Sequence, residues 1–387
     1  MIPQVNKILV VGAGVSGPAI CYWLKIFGFS PTLIEKSPQL RKGGFAIDIR
    51  GIAVDVAEKM GIYEQVCKRR TTIQSGKYVD AQGQTLHEEQ GEKLGFRQGD
   101  DVEIVRGDLI EILMQTIADV PCEYGQAIEE IHPHDEFVEV VFKSGEKELF
   151  DLLIGCDGLH STIRKLGFNG DESELFDLGY YISVCDIPNY LKLNHSEILF
   201  EHQQKLINVS SDHKPDQAQL GFMFRSVQPL KAMIHEAEQK AFLRNTFENL
   251  GWETNTLLDL MESSDAFYFD SITQVKMNGW SKDRVVLLGD AGYCASPLSG
   301  QGTSLAIVGA YLLAGELKKS PEDYTRAFNQ YSQLLRPFVE ANQSFGAWVS
   351  ESFLASDKLS KEAAEERQNL IIEKMQTVTR AIEVPEY

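Results

Sequence analysis

The first apolar block of the chain, Ile8 to Leu24 ("ILVVGAGVSGPAICYWL"), carries no charge and lies between Lys7 and Lys25. It is short for a membrane helix, which needs ~20 apolar residues. Three glycines, a serine and a proline interrupt it, so it reads as strand, tight turn and helix rather than signal sequence or anchor. The strand is Lys7 to Val11, a continuous run of the kind buried on both faces of a parallel sheet. A second strand, Thr32 to Ile34, ends at Glu35. The pattern returns twice, in "FDLLIGCDGLHSTIR" (150–164) and "RVVLLGDAGYCASPLSGQG" (284–302), each an apolar run halted by Gly and Asp. Asp is a poor strand former and a buried unpaired carboxylate is costly, so a carboxylate at such a strand end needs something to face.

Between these blocks the pattern changes. "GKYVDAQGQTLHEE" and "AQLGFMFRS" alternate apolar and polar residues, which predicts antiparallel strands. Beyond residue 320 the apolar spacing is helical. "PEDYTRAFNQYSQLLRPFVEANQSFGAWVSESFL" predicts a helix broken at Pro337, and "SKEAAEERQNLIIEKMQTVTRAI" a second helix capped by Ser360. "HPHDE" (132–136) reads as a polar turn.

Composition narrows the function class. A length of 387 residues suggests two domains or three small ones, and 43% hydrophobic with 24% charged residues is ordinary for a soluble protein. The net charge of −19 argues against nucleic acid and anionic membranes as partners. The six cysteines contain no CxxC pair, so reduced thiols in a cytoplasmic protein, taken as a monomer, are expected. His132 and His134 are the sole close histidine pair, and no metal site is predicted.

The N-terminal turn carries specific chemistry. Gly12, Gly14 and Gly17 form G-x-G-x-x-G between strand and helix: a tight turn, close backbone approach to a pyrophosphate, and close helix packing. Glu35, at the end of the second strand, suits the hydroxyls of an unphosphorylated ribose, so NAD and the AMP half of FAD both fit. Asp157 is either the cap of a following helix or, with Arg164, a cofactor neighbour at the carboxyl ends of parallel strands, where open α/β sheets bind ligands. Asp290 suits the hydroxyls of a sugar-alcohol chain, and the loop from Pro297 through Gly300 to Gly302 suits close approach to a flat ring.

The three motifs in this order, spanning residues 8 to 302, resemble the group A flavoprotein monooxygenases of the para-hydroxybenzoate hydroxylase type. The resemblance implies that Asp290 binds the ribityl chain of FAD, that Pro297, Gly300 and Gly302 face the isoalloxazine, and that Asp157 and Arg164 serve FAD and a visiting NAD(P)H. It also carries over Arg106, in "VRGDLIEIL", as an FAD contact. The family often has His three residues after the last Asp, where this chain has Tyr293. Within the group, "RKGGFAIDIRGIA", "HEEQGEKLGFRQGDDVEIVRGDL" and "PFVEANQSFGAWVSESFL" are similar to tetracycline destructases. That similarity implies Asp48 as an FAD ligand and Arg41 as a contact to FAD or NADPH.

The expected fold is α/β: a Rossmann-like FAD-binding domain (1–75, 100–175 and 268–320), an inserted antiparallel-sheet substrate domain (76–99 and 176–267), and C-terminal helices (321–387) bridging the two. Phe96, Met223 and Arg225 are the expected substrate contacts, the arginine for an anionic, oxygen-rich edge. The reaction implied is insertion of oxygen into tetracyclines or a related polycyclic phenol or enol. NADPH would be the electron donor, O2 the co-substrate and a flavin C4a-hydroperoxide the oxygen carrier. A hydroxylase of another phenolic or polyketide substrate is the alternative. A flavin halogenase would need a "WxWxIP" segment that the chain lacks, and a non-enzymatic carrier of the GDP-dissociation-inhibitor type would not need the Asp157 and Asp290 motifs.

Overall fold

Strand Lys7–Val11 forms the centre of a sheet because its residues 8–10 are wholly buried, with neighbours on both sides. A computed structural model describes residues 6–40, 44–91, 98–168, 172–226, 235–352 and 361–387. In it the strand pairs in parallel with Ser30–Glu35 and with Leu152–Gly155, and the latter in parallel with Val285–Leu287. The register places Val11 beside Ile34 and Gly155, and Gly155 beside Leu287. The ends of the three apolar runs read from the sequence therefore come to one edge, with Glu35, Asp157 and Asp290 just beyond. Cys122–Tyr124 and Ser281–Lys282 complete the six strands.

Helices Ser16–Ile26 and Gly302–Lys319 pack on each other beside this sheet, with Trp23 and Tyr311 ring centroids 4.7 Å apart. A three-stranded sheet, Ile128–Pro133, Val138–Phe142 and Lys147–Phe150, lies alongside. His132 and Pro133 belong to the first of these strands, and the predicted polar turn begins only at His134. Ladder pairing of His132 with Glu139 outweighs the turn preference of the proline, which sits at the strand end where its missing N–H costs little.

The alternating segments build a seven-stranded sheet in the order Phe267–Met277, Ser173–Pro188, Gln217–Arg225, Lys205–Ser211, Ser196–His202, Ser75–Val79, Thr85–Gln90. Its period of two sends Phe222 and Phe224 into a core against helices Glu236–Phe247 and Thr254–Glu262. Met223, with Ile182 and Leu206, faces the other way, toward a second apolar cluster that includes Leu298, Phe345 and Met375. That cluster joins the sheet to the loop after Asp290 and to the two C-terminal helices.

Pro337 does not break the first of those helices, which runs unbroken over Tyr324–Ser352. The proline removes one i→i−4 bond, but Leu335, Phe338 and Val339 are buried around it, and Arg336 donates to the Met277 and Asn278 carbonyls. The last helix is Lys361–Thr379; its expected cap, Ser360, lies outside the described residues. Residues 380–387 then return to the first sheet's layer, where Tyr387 donates to Glu316 at 2.8 Å. None of the six cysteines is in a disulfide, and among the described residues no helix is long and apolar enough to cross a membrane.

Candidate functional site

The site begins at Gly12, whose φ of 108° only glycine adopts comfortably and where a Cβ would stand 2.6 Å from the Cys156 carbonyl. A Cβ on Gly17 would overlap the Gly12 carbonyl itself. The two glycines let the helix Ser16–Ile26 start directly against the strand, with its N-terminal N–H groups directed at the sheet edge. Glu35 holds the same turn from the neighbouring strand, accepting from Ala13 N at 2.8 Å and Ser37 N at 2.9 Å.

Asp157 caps a helix. Its carboxylate accepts from the Ser161 hydroxyl (2.5 Å), Thr162 N (2.6 Å) and Ile163 N (3.1 Å). Arg164, one turn on, is buried and donates to the carbonyls of Leu159 (2.6 Å) and Ala291 (2.7 Å). Burial draws its pKa down, but an arginine stays charged at any ordinary pH. The second motif thus braces the third, and Ser16 of the first lies against Gly289, where a Cβ would meet its hydroxyl at 3.1 Å.

Asp290 is set differently. Desolvation by the surrounding side chains raises its pKa, opposed by Cys294 and the Arg106 guanidinium. Its own surface is nevertheless open. The carboxylate is thus crowded by neighbouring groups yet open to solvent, as in the wall of a recess. Water reaching the open carboxylate lessens the cost of its charge. Arg106 stands close by, 3.4 Å from where a Cβ on Gly14 would be and beside Gly44. Tyr268 closes another side, its ring centroid 5.9 Å from that of Phe45, with Asp270 bridging it to His160 (3.2 and 2.8 Å). Burial, with Asp270 and Asp290, pushes the Tyr268 phenol well above its ordinary range.

The loop after Asp290 is shaped by backbone more than by side chains. Ser296 has φ of 76° and Gly300 φ of 64°, flanking the single turn Pro297–Ser299, and the helix Gly302–Lys319 begins two residues later. Gly302 lies 3.9 Å from the Asp290 carboxylate, measured from its ideal Cβ. A nucleotide with a polyol chain and a flat ring fits these residues: a glycine cradle at a helix start, a carboxylate facing a hollow, and a tight loop with free approach. Tyr293, where the family pattern often has His, points into the core and shares a 2.9 Å bond with Tyr331, whose hydroxyl donates to Leu287 O. Burial raises its pKa, so the phenol keeps its proton at working pH and is no proton carrier.

Asp48 lies on the ribbon Ala46–Ile49/Val102–Val105 and is paired with Arg50 at 2.9 Å. Arg50 escaped the sequence reading although it shares a strand face with Asp48. It is 2% exposed, also faces Asp101 at 3.6 Å, and its N–H donates to Ser304 on the helix after the loop. Arg41 and Phe96 lie outside the described residues. Arg225 reaches the Tyr180 ring at 5.9 Å, and Tyr180 belongs to the apolar cluster that Met223 borders. Arg367, also missed, enters from the last helix. Its side chain is half-buried with no acceptor for Nε, and it acts on the Tyr180 phenol together with Arg225. Helical spacing with Ile371, Met375 and Val378 was the available signal.

The FAD binding domain family matches residues 6–342. A flavin-dependent monooxygenase from an unknown prokaryotic organism is 58% identical over 385 residues, all of both chains. Among solved structures, the tetracycline destructase Tet(51) is 54% identical with a TM-score of 0.93, covering 99% of this chain and 100% of that one. The tetracycline destructase Tet(55) is 56% identical with a TM-score of 0.94 over 100% of both.

Proposed function

The chain belongs to the flavin-dependent monooxygenases of the FAD binding domain family, with FAD as its cofactor, and on that premise we propose that it inactivates tetracyclines by inserting oxygen into them. The observation that carries the reading is the recess wall formed by Asp290, Arg106 and the Pro297–Gly302 loop, directly beside the apolar cluster of Met223, Leu298 and Met375. A flavin ring laid against that loop has an apolar chamber on its far side, and the likeness to Tet(51) and Tet(55) favours a tetracycline as its occupant.

In this reading Gly12, Gly14 and Gly17 cradle the pyrophosphate and Glu35 meets the ribose. Asp290 takes the ribityl hydroxyls, Arg106 the phosphate side, and Asp48 and Arg41 the remaining polar edge. Asp157 and Arg164 hold the strand ends in place beneath the cofactor. When bound and reduced by NADPH, FAD supplies the activated form of O2 that attacks an enol or phenol carbon. The protein orients the drug, with Arg225 and Arg367 toward its anionic oxygens and Phe96 and Met223 against its rings. Ile182, Leu206, Trp348 and Ile371 keep water out, so that oxygen is transferred rather than lost as peroxide. The enzyme works as a cytoplasmic monomer.

Incubation with NADPH, tetracycline and isotopically labelled dioxygen tests this. The product is expected to gain one labelled oxygen atom and lose antibacterial action. Flavin reduction without labelled drug would overturn the substrate and favour another phenolic or polyketide compound.

A further inference from the structure

Away from the recess, at the far end of the seven-stranded sheet, three side chains from two neighbouring strand ends converge. Ser196 pairs with Ser211 in the ladder, so His195 and Asp212 are cross-strand neighbours just beyond it. His213 follows directly. His195 Nδ1 is 3.2 Å from Asp212 Oδ1, and His213 Nε2 is 3.2 Å from Asp212 Oδ2. One donor atom from each residue lies within 4.8 Å of the others.

One feature of Asp212 is unexplained by packing. Its Oδ1 is fully used, accepting from Thr72 N at 3.0 Å and from the Thr72 hydroxyl at 2.5 Å. Its Oδ2 is buried yet receives no hydrogen bond, because His213 gives its Nε2 proton to the Arg70 carbonyl at 2.9 Å. A buried carboxylate oxygen with no donor is costly.

We propose that His195, Asp212 and His213 bind a divalent transition cation of the zinc type. Zinc–nitrogen and zinc–oxygen bonds of ~2.0–2.1 Å in a tetrahedron put neighbouring ligand atoms about 3.3 Å apart, close to the 3.2 Å between His213 Nε2 and Asp212 Oδ2, while His195 offers a ring nitrogen within 4.8 Å of the other ligand atoms. Two imidazoles and a carboxylate select zinc-like ions over calcium or magnesium, which prefer oxygen ligands. The Thr72 bonds orient the carboxylate from outside, as supporting partners of metal ligands do. Binding shifts the His213 proton from Nε2 to Nδ1, breaks the bond to the Arg70 carbonyl and places the ion against the unused lone pairs of Oδ2. His213 is half exposed, which leaves a coordination position for water.

The ion would act as a clip rather than a catalyst. Gln74 N donates to His195 O at 2.8 Å, where Ser75–Val79 joins Ser196–His202 in parallel. Thr71 N donates to Glu103 O at 2.8 Å on the ribbon that carries Asp48. A bound cation would therefore fix the corner at which the chain passes from the cofactor layer into the sheet.

The test is competition of the FAD-loaded protein with a chromophoric zinc chelator, together with thermal melts with zinc and with EDTA. The proposal expects a single zinc ion held against the chelator, a higher melting midpoint with zinc, and loss of both in His213→Gln and in the double variant His195→Gln/His213→Gln. Flavin content of the variants reports that they are folded. No zinc retained by the wild type, or equal retention by the folded double variant, would overturn it.

Discussion

Arg164 donates to the carbonyl oxygen of Ala291 at 2.7 Å, so the guanidinium of the mid-chain motif fixes the turn that carries Asp290. With the bond to Leu159, it ties two strand ends of the parallel sheet into one rigid edge. Arg164→Met keeps much of the side chain's apolar bulk but leaves two carbonyls without a donor. It is expected to cost about 2–4 kcal/mol, with flavin content falling alongside the melting midpoint. Unchanged flavin retention at a lowered midpoint would mean that the turn is held by other contacts.

Asp290 sets stability against cofactor binding. Its folded pKa is raised by burial, so in the flavin-free protein its contribution to stability is most favourable below the unfolded carboxylate value. That contribution is lost as pH rises through the folded value. Asp290→Asn should therefore melt higher than wild type at neutral pH when stripped of FAD, by a margin reduced by the openness of the recess. The same change removes a charged acceptor, each charge-assisted bond being worth about 1.5–3 kcal/mol, so FAD affinity should fall by roughly ten- to a hundredfold. Melting curves of stripped protein and flavin titration read the two effects separately.

Arg225 lies over the Tyr180 ring, and the charges of Arg225 and Arg367, from different elements, both act on the Tyr180 phenol. If both face the anionic edge of the drug, Arg367→Gln raises KM for tetracycline about tenfold or more, the loss expected for one charge-assisted bond. The rate of FAD reduction by NADPH without drug should stay as in the wild type. Steady-state kinetics at varied drug concentration distinguish this from a general loss of folding, which would lower both.

Tyr387 packs against Gly315 and stacks edge-on with Tyr311 at 5.0 Å, while Lys59 pairs with Glu386. These contacts tie down the segment that follows the last helix, whose Thr379 lies on Gly51 and whose Met375 approaches Gly300. Tyr387→Ala is expected to cost about 1–3 kcal/mol, below the full penalty for a wholly buried aromatic. Amide exchange should accelerate across residues 366–379. Exchange confined to the last few residues would show that the helix is held by its own packing.

The cofactor layer was legible because buried parallel strands show as continuous apolar runs, and an Asp or Glu ending such a run stands out. Lys7–Val11, Leu152–Gly155 and Val285–Leu287 were found this way. That Met223 faces away from Phe222 and Phe224 was legible through the alternation of its strand. Arg50 was not, because a guanidinium two residues from an aspartate looks the same in a solvated hairpin as in a buried pair. Pro337 misled for the opposite reason: local propensity argues for a break, and burial on both sides overrides it. His195 and Asp212 become neighbours only through strand register, which no spacing rule reports.

The most direct test is NADPH oxidation by the purified, FAD-loaded protein, followed with and without tetracycline while the drug's own absorbance is recorded. The account predicts a flavin-coloured protein whose NADPH consumption accelerates with tetracycline, with loss of the drug's chromophore in proportion. Consumption indifferent to tetracycline, with the chromophore intact, would contradict it.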